Sequence, residues 1–328
     1  MKRVIKIGTR ESELAVWQAK LVQSQLQDSG YASSLVMVTS EGDLDQVTPL
    51  YEMGVQGIFT KSLDGALLNN KIDIAVHSMK DVPTMLPAGI VQAAVLKRGN
   101  HHDLFIINEQ ANIEERAASI ENFHQSLSIA EAIHFDEGTS DAFSIATSSV
   151  RRKAQWLHRY PKHNVVNLRG NINTRLQKIK ESNWQGAILA TAGLERINLR
   201  PKSGIELSWM LPAPAQGAIM VVCNESDAEM LQACKALNHP ETMLCTQIEK
   251  DFLRALLGGC STPIGALAVP DKKEIFFKGN ILTLDGKEKI EVEKYVSMND
   301  LDNFGNRMAE QLLKNGGREI AEKIQDGK

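Results

Sequence analysis

The sequence predicts an α/β protein made of two successive α/β units followed by a small α+β unit. Three observations predict it. Short β-branched runs alternate with amphipathic helical stretches through the first part of the chain, and the same grammar restarts after residue 143. Past about residue 240 the order changes to a helix, several strand-like runs and a last helix. At 328 residues the chain is too long for one ordinary small domain, and its 43% apolar content is enough to fill ordinary cores.

In the first unit, Val4 to Ile7 predicts a strand. Ser12 caps a helix that carries Leu14, Trp17 and Leu21 on one face and stops near Gly30. Leu35 to Val38 predicts a second strand, Leu63, Ala66 and Leu67 mark another helix, and the apolar run after it ends at His77. This βαβαβ order predicts a mostly parallel sheet with helices on both faces. In the second unit, Ser144 to Ala146, Val165 to Leu168 and Ala187 to Ala190 predict strands. Thr147-Ser148-Ser149 caps a helix from Val150, and a further helix runs through Leu176 and Ile179.

In the third unit, a helix carrying Ile248, Phe252 and Leu256 ends at Gly258-Gly259. Strands are predicted at Ile264 to Val269, Ile275 to Lys278 and Ile281 to Leu284, with Asp285-Gly286 as a hairpin turn. A last helix around Met308 to Leu313 is predicted to stop at Gly316-Gly317. The stretch 108–143 fits this grammar least. Between residues 109 and 141 it sets eight acidic residues against the single basic Arg116, which predicts a solvated excursion.

The formal net charge of -3 lacks the basic bias of a general nucleic-acid or membrane-surface binder. The N-terminus has no apolar signal-peptide core, and no apolar run approaches the ~18 residues of a membrane span. These features predict a soluble, cytoplasmic protein whose cysteines, Cys223, Cys234, Cys245 and Cys260, are reduced. None forms a CxxC pair, and no pattern calls for a metal.

In a parallel α/β sheet, ligands bind beyond the carboxyl ends of the strands, where helix N-termini offer free N–H groups. Four strand ends here carry cations beside hydroxyls or glycine: Thr9-Arg10-Glu11-Ser12, His77-Ser78-Met79-Lys80-Asp81, Ser149 with Arg151-Arg152, and Arg169-Gly170-Asn171. Together they suggest a cleft that holds several carboxylates or phosphates. Each also has a plainer reading. Arg151 and Arg152 can lie on a solvated face, Arg169 and Arg175 can be surface charge, and Arg196 fits an ordinary amphipathic helix. Lys80 and Asp81 can be an exposed ion pair, and His77 a structural histidine. Cys260, in GGCSTPIG, has glycine neighbours that leave its sulfur reachable, whereas Cys223 in AIMVVC fits a buried thiol.

Eight stretches, in order along the whole chain, carry a resemblance: TRESELAVWQ (9–18), DIAVHSMKDVP (73–83), TSSVRRKAQ (147–155), NLRGNINTRL (167–176), ILATAGLERI (188–197), LPAPAQGA (211–218), LNHPET (237–242) and GGCSTPIG (258–265). The chain resembles the porphobilinogen deaminase family, also called hydroxymethylbilane synthase. The resemblance implies two type II periplasmic-binding-protein-like α/β domains around a cleft, plus a small α+β C-terminal domain. It divides the chain into 1–98 with 218–237, 99–217, and 238–328. It implies head-to-tail condensation of four porphobilinogen units with loss of ammonia, and then hydrolytic release of hydroxymethylbilane. The cofactor it implies is a dipyrromethane primer held by a thioether.

Carried over by motif, Cys260 bears the primer and Asp81 is the catalytic carboxylate that steadies cationic pyrroles. Lys80, Ser149, Arg151 and Arg152 are expected on the primer's acid side chains. Arg10, Ser12, Arg169 and Arg175 are expected on the substrate or growing chain. The resemblance also implies a monomer without nucleic-acid or membrane partners. The chain departs from the family pattern at Glu41, Gln56, His102, Ala215 and Leu257, while Lys61 is kept. Two other readings stand beside an active deaminase: a cytosolic two-lobed binding protein for a small carboxylated ligand, and a degenerate deaminase that elongates poorly.

Overall fold

The structure, a computed structural model, describes residues 3–40, 60–110, 144–256 and 262–326. Cys260, Glu41, Gln56, Leu257 and most of the acidic stretch 108–143 lie outside the described residues. Three sheets organise the rest. The first has the order β2-β1-β3-β10-β4 and is built from β1 (Ile5–Thr9), β2 (Ser33–Met37), β3 (Ile74–Ser78), β4 (Ile90–Val95) and β10 (Ile219–Asn224). Strand β1 is parallel to β2 and β3, as the sequence predicts. Strand β10 runs antiparallel between β3 and β4, so the sheet is mixed.

The predicted helices cover both faces. Helix α1 (Glu13–Asp28) starts at Ser12, whose hydroxyl accepts from Ala15 N–H, and buries Ala15, Ala19, Val22 and Leu26 at helical spacing. Its exit uses Gly30 at φ 80, the left-handed residue expected there. Helix α2 (Lys61–Leu68) seats Leu63 and Leu67 on the other face, against Ala75 and Val222. Strand β3 is buried on both faces, which explains its unbroken apolar run.

The second sheet has the order β7-β6-β8-β5-β9, from β5 (Asp103–Ile107), β6 (Ser144–Ala146), β7 (Asn164–Val166), β8 (Gly186–Ala190) and β9 (Ile205–Glu206). Strand β6 is parallel to β7 and β8, and β5 is antiparallel to β8 and β9. Helices α3 (Val150–Arg159), α4 (Ile172–Glu181) and α5 (Thr191–Arg196) follow β6, β7 and β8. The chain thus leaves the first sheet after β4 and returns to it at β10. The two crossings pair with each other through Leu96 N–H to Ile219 O and Gly99 N–H to Gly217 O, both 3.0 Å.

Gly217 adopts φ 87, and a Cβ there would stand 2.8 Å from Gly99 O and 3.0 Å from Asn100 O. Both obstacles are backbone, so neither can rotate away. Gly217→Ala is therefore expected to cost about 2–4 kcal/mol in urea unfolding. A change under about 0.5 kcal/mol would show that the crossings are not locked together.

After α6 (Ala228–Cys234), helix α7 (Pro240–Ala255) begins at His239, whose ring accepts from Thr242 N–H, with Pro240 in the first turn. The third sheet is antiparallel: β11 (Ile264–Asp271), β12 (Glu274–Leu282) and β13 (Lys289–Ser297). Two expectations are corrected here. Ile275 to Lys278 and Ile281 to Leu284 belong to one strand and its exit, because Gly279 and Asn280 are packing residues rather than a turn. A Cβ on Gly279 would meet the Phe252 ring at 2.5 Å, and Asn280 Oδ1 accepts from Gly265 N–H. The Asp285-Gly286 turn is the hairpin turn expected, and it joins β12 to β13. The helix that stops at the glycines is also not the last: α8 (Phe304–Leu312) is broken at Gly316, φ 106, as expected there, and a further helix, α9 (Arg318–Asp326), follows. Cys223, Cys234 and Cys245 are buried free thiols. Among the described residues no helix is long and apolar enough to cross a membrane.

Candidate active site

Strand β3 runs into a tight turn, Met79–Asp81, at the edge of a small cleft lined by Arg10, Gln18, Thr60, His77, Ser78 and Asp81. The turn is fixed from two sides. Met79 N–H donates to Ala218 O at 3.0 Å, next to where β10 pairs with β3. From the third unit, the buried Lys250 ammonium on α7 donates to Val82 O. Lys80 then points toward the return crossing and donates from Nζ to Gln216 Oε1 at 3.3 Å. Burial pushes the Lys80 ammonium down to about 8. Asp81 and Asp103 oppose that shift, while Arg152 and Arg151 add to it.

Burial, with Arg10 adding repulsion, pushes His77 down to about 3. The imidazole is therefore neutral in the fold, whereas the unfolded chain takes up a proton near 6.5. Between those values only the unfolded state gains the proton, so stability falls as pH falls from about 6.5. The loss is up to ~1.4 kcal/mol per pH unit for this one group. His77→Gln is expected to flatten the decline of Tm between about pH 6 and 4.5, and an unchanged slope would contradict the buried neutral ring.

The second lobe supplies the guanidinium groups. Ser149 caps α3 by accepting from Arg152 N–H. Arg151 and Arg152 do not lie on a solvated face, since they are only 3% and 5% exposed. Positive charge at a helix N-terminus opposes the dipole, and Asp103 at the start of β5 offsets it. Its carboxylate accepts from Arg151 Nη2 at 2.8 Å and from Arg152 Nε and Nη2 at 2.9 and 2.7 Å. Burial alone would raise the Asp103 carboxyl, yet these two guanidinium groups hold it well below the usual carboxylate range. Two cations against one carboxylate leave a net positive charge at the cap.

Arg169 follows β7 and is buried, so it is not ordinary surface charge. Arg175, in the first turn of α4, donates from Nε to Gly170 O at 2.7 Å. Burial pushes Arg175 down to about 10, Arg152 and Arg169 push the same way, and Asp81 opposes them. Asp81 of the first lobe is thus within electrostatic reach of Arg175 in the second. Arg10 lines the same small cleft as Asp81, and Ser12 caps α1 two residues further on. Arg196 is also more than an amphipathic-helix residue: its Nη2 donates to Gly217 O at 2.6 Å and its guanidinium lies 5.8 Å from the Trp17 ring centre.

Three groups central to this arrangement escaped the sequence reading: Asp103, Gln216 and Lys250. Asp103 had a usable signal, an acid next to His102 at the start of an apolar run. His102 itself packs against the His101 ring, 4.4 Å between centroids. Ala215, where the family pattern has glycine, adopts the left-handed φ of 62, which explains the glycine expectation.

Residues 5–232 match the family model described as porphobilinogen deaminase, dipyromethane cofactor binding domain, and residues 243–314 match that of the porphobilinogen deaminase C-terminal domain. The chain is 35% identical over 331 residues to a porphobilinogen deaminase of Desulforamulus reducens, covering 100% of both chains. It is 38% identical over 326 residues to that of Pelotomaculum thermopropionicum, covering 98% of this chain and 96% of the relative. Among solved structures it is similar to the methionine-binding protein MetQ, at 14% identity over 73% of this chain and 91% of that one, with a TM-score of 0.42. With both family models in sequence and full-length relatives at this identity, the chain belongs to the porphobilinogen deaminase family.

Proposed function

We propose that this chain is a porphobilinogen deaminase, a cytoplasmic transferase acting as a monomer. It joins four porphobilinogen molecules head to tail and releases hydroxymethylbilane with water. Residues 1–98 with 218–237, 99–217 and 238–328 form its three domains. The observation that carries this reading is the link from the Lys80–Asp81 turn to the arginine cluster of the opposite lobe: Lys80 Nζ donates to Gln216 Oε1 at 3.3 Å, and Gln216 Nε2 donates at 2.8 Å to Asp103, the carboxylate that pairs with Arg151 and Arg152. Every pyrrole of the product brings an acetate and a propionate, so a cleft with several cations and one reactive carboxylate suits it.

In each step the C–N bond of porphobilinogen's protonated aminomethyl group breaks, and nitrogen leaves with the bonding pair as ammonia. A C–C bond then forms to the free α-carbon of the preceding pyrrole, which gives up a proton. Four porphobilinogens and one water balance one hydroxymethylbilane and four ammonias. Positive charge develops on the ring as ammonia leaves. The Asp81 carboxylate accepts its pyrrole N–H and lowers the energy of that charge.

The residues present fit a dipyrromethane. Its acid side chains would be offset by the net positive charge at the Ser149 cap, where Arg151 Nε is buried with no hydrogen-bond partner among the described residues. Lys80, Ser149, Arg151 and Arg152 would hold it, with Cys260 as the point of covalent attachment. When bound, it supplies the anchored pyrrole from which the chain grows. Arg10, Ser12, Arg169 and Arg175 hold the incoming unit or the lengthening product.

The test is sustained release of ammonia from porphobilinogen by the purified protein. Many turnovers per molecule support the reading. Binding of porphobilinogen with no ammonia release would reduce the protein to a carboxylate-binding module.

A further inference from the structure

Gln216 lies between two left-handed residues, Ala215 at φ 62 and Gly217 at φ 87, on the crossing that returns to the first sheet. The side chain is turned inward and the residue is 1% exposed. Its amide reaches both lobes. Oε1 accepts from Lys80 Nζ at 3.3 Å, while Nε2 donates to Asp103 Oδ1 and to His101 O, each at 2.8 Å. Chemistry fixes this orientation: a carboxylate and a carbonyl both need the NH2, and an ammonium needs the oxygen. Arg98 Nε anchors the backbone by donating to Gln216 O at 2.8 Å.

We propose that Gln216 is a positioning residue that holds the Lys80 ammonium at the cleft and ties it to the Asp103–Arg151–Arg152 cluster of the opposite lobe. This deepens the deaminase reading, in which Lys80 serves carboxylates, and rests on it. Among the described residues, the groups facing Lys80 include Asp81 on its own turn, Asp103 from β5, Arg151 and Arg152 from α3, and Gln216 from the crossing. Two cations face it, and its ammonium is already pushed down to about 8. A neutral acceptor at Gln216 therefore helps keep Lys80 charged near neutral pH.

The experiment measures acetic anhydride labelling of Lys80 by peptide mapping of the full-length protein across about pH 6 to 10. Only the neutral amine reacts. Gln216→Met removes the acceptor, so Lys80 is expected to label about tenfold faster at neutral pH. Gln216→Glu places an anion against the ammonium, so labelling is expected to be about tenfold slower. A merely structural role lowers Tm in both variants but does not move labelling in opposite directions. If the added charge prevents Gln216→Glu from folding, Gln216→Met alone carries the test. Folded variants with the wild-type labelling profile would overturn the proposal. Labelling is read without turnover, so shifted profiles in a protein that releases no ammonia retire the deaminase reading and keep the role of Gln216. Unshifted profiles in an active protein retire that role alone.

Discussion

Asp81→Asn is expected to fold normally, to keep its covalent primer, and to lose turnover by about 10²–10³-fold. The substitution preserves shape, and the amide oxygen can still accept a pyrrole N–H. What disappears is the full negative charge that meets a ring becoming positive as ammonia leaves. The loss should therefore fall on kcat rather than on the affinity for porphobilinogen. A second effect follows from the neighbours. The Asp81 charge opposes the downward shifts of both Lys80 and Arg175. Without it Lys80 loses its proton at lower pH, so the residual activity should decline at lower pH than in the wild type. Ammonia release against pH measures both effects. A near-normal rate in Asp81→Asn would remove this residue from the chemistry.

Arg98→Ala is expected to destabilise the fold by about 3–5 kcal/mol. Glu249 on α7 is fully buried, and four parts of the chain meet at its carboxylate. Arg98, on the outgoing crossing, donates from Nη1 at 2.6 Å and from Nη2 at 3.1 Å. Ala215 N–H on the return crossing donates at 2.6 Å, and Ala268 N–H on β11 at 2.7 Å. Truncating Arg98 leaves a desolvated anion with two neutral donors, which is the costly way to break a buried pair. The double variant Arg98→Met with Glu249→Gln removes both charges and should recover part of the loss. Urea unfolding of the three proteins measures this. A loss under about 1 kcal/mol in Arg98→Ala would contradict the role of the pair as the joint between the units.

Local signals were legible in the sequence wherever the chain's own neighbours decide the structure. Ser12, Ser149 and Gly30 mark helix ends through short-range bonds, and each does so in the structure. The apolar run before His77 is legible as a buried strand, and the cationic strand ends as features of a cleft. Pairing between distant segments was not legible. AIMVVC is apolar by inspection, but nothing nearby shows that it inserts antiparallel between β3 and β4. Gly279 and Asn280 read as a break because their reason is Phe252 and Gly265, far away in sequence. Strand β13 did carry a local signal, the alternation of Ile290 and Val292 with charged residues, which the sequence reading left unused.

The site divides the same way. Lys80, Asp81 and the arginines announce themselves at strand ends. Asp103, Gln216, Glu249 and Lys250 act on partners 19 to 168 residues away, and only the folded chain brings them together. Arg196 reads as an ordinary amphipathic-helix residue until its contact with Gly217 O is seen.

The intact mass of the denatured protein after incubation with porphobilinogen, followed by peptide mapping, tests the central claim most directly. The account predicts an excess equal to two porphobilinogen units less two ammonias, located on Cys260 and absent from Cys260→Ser. An unmodified protein after that incubation, or an adduct mapped to Cys223, Cys234 or Cys245, would contradict it.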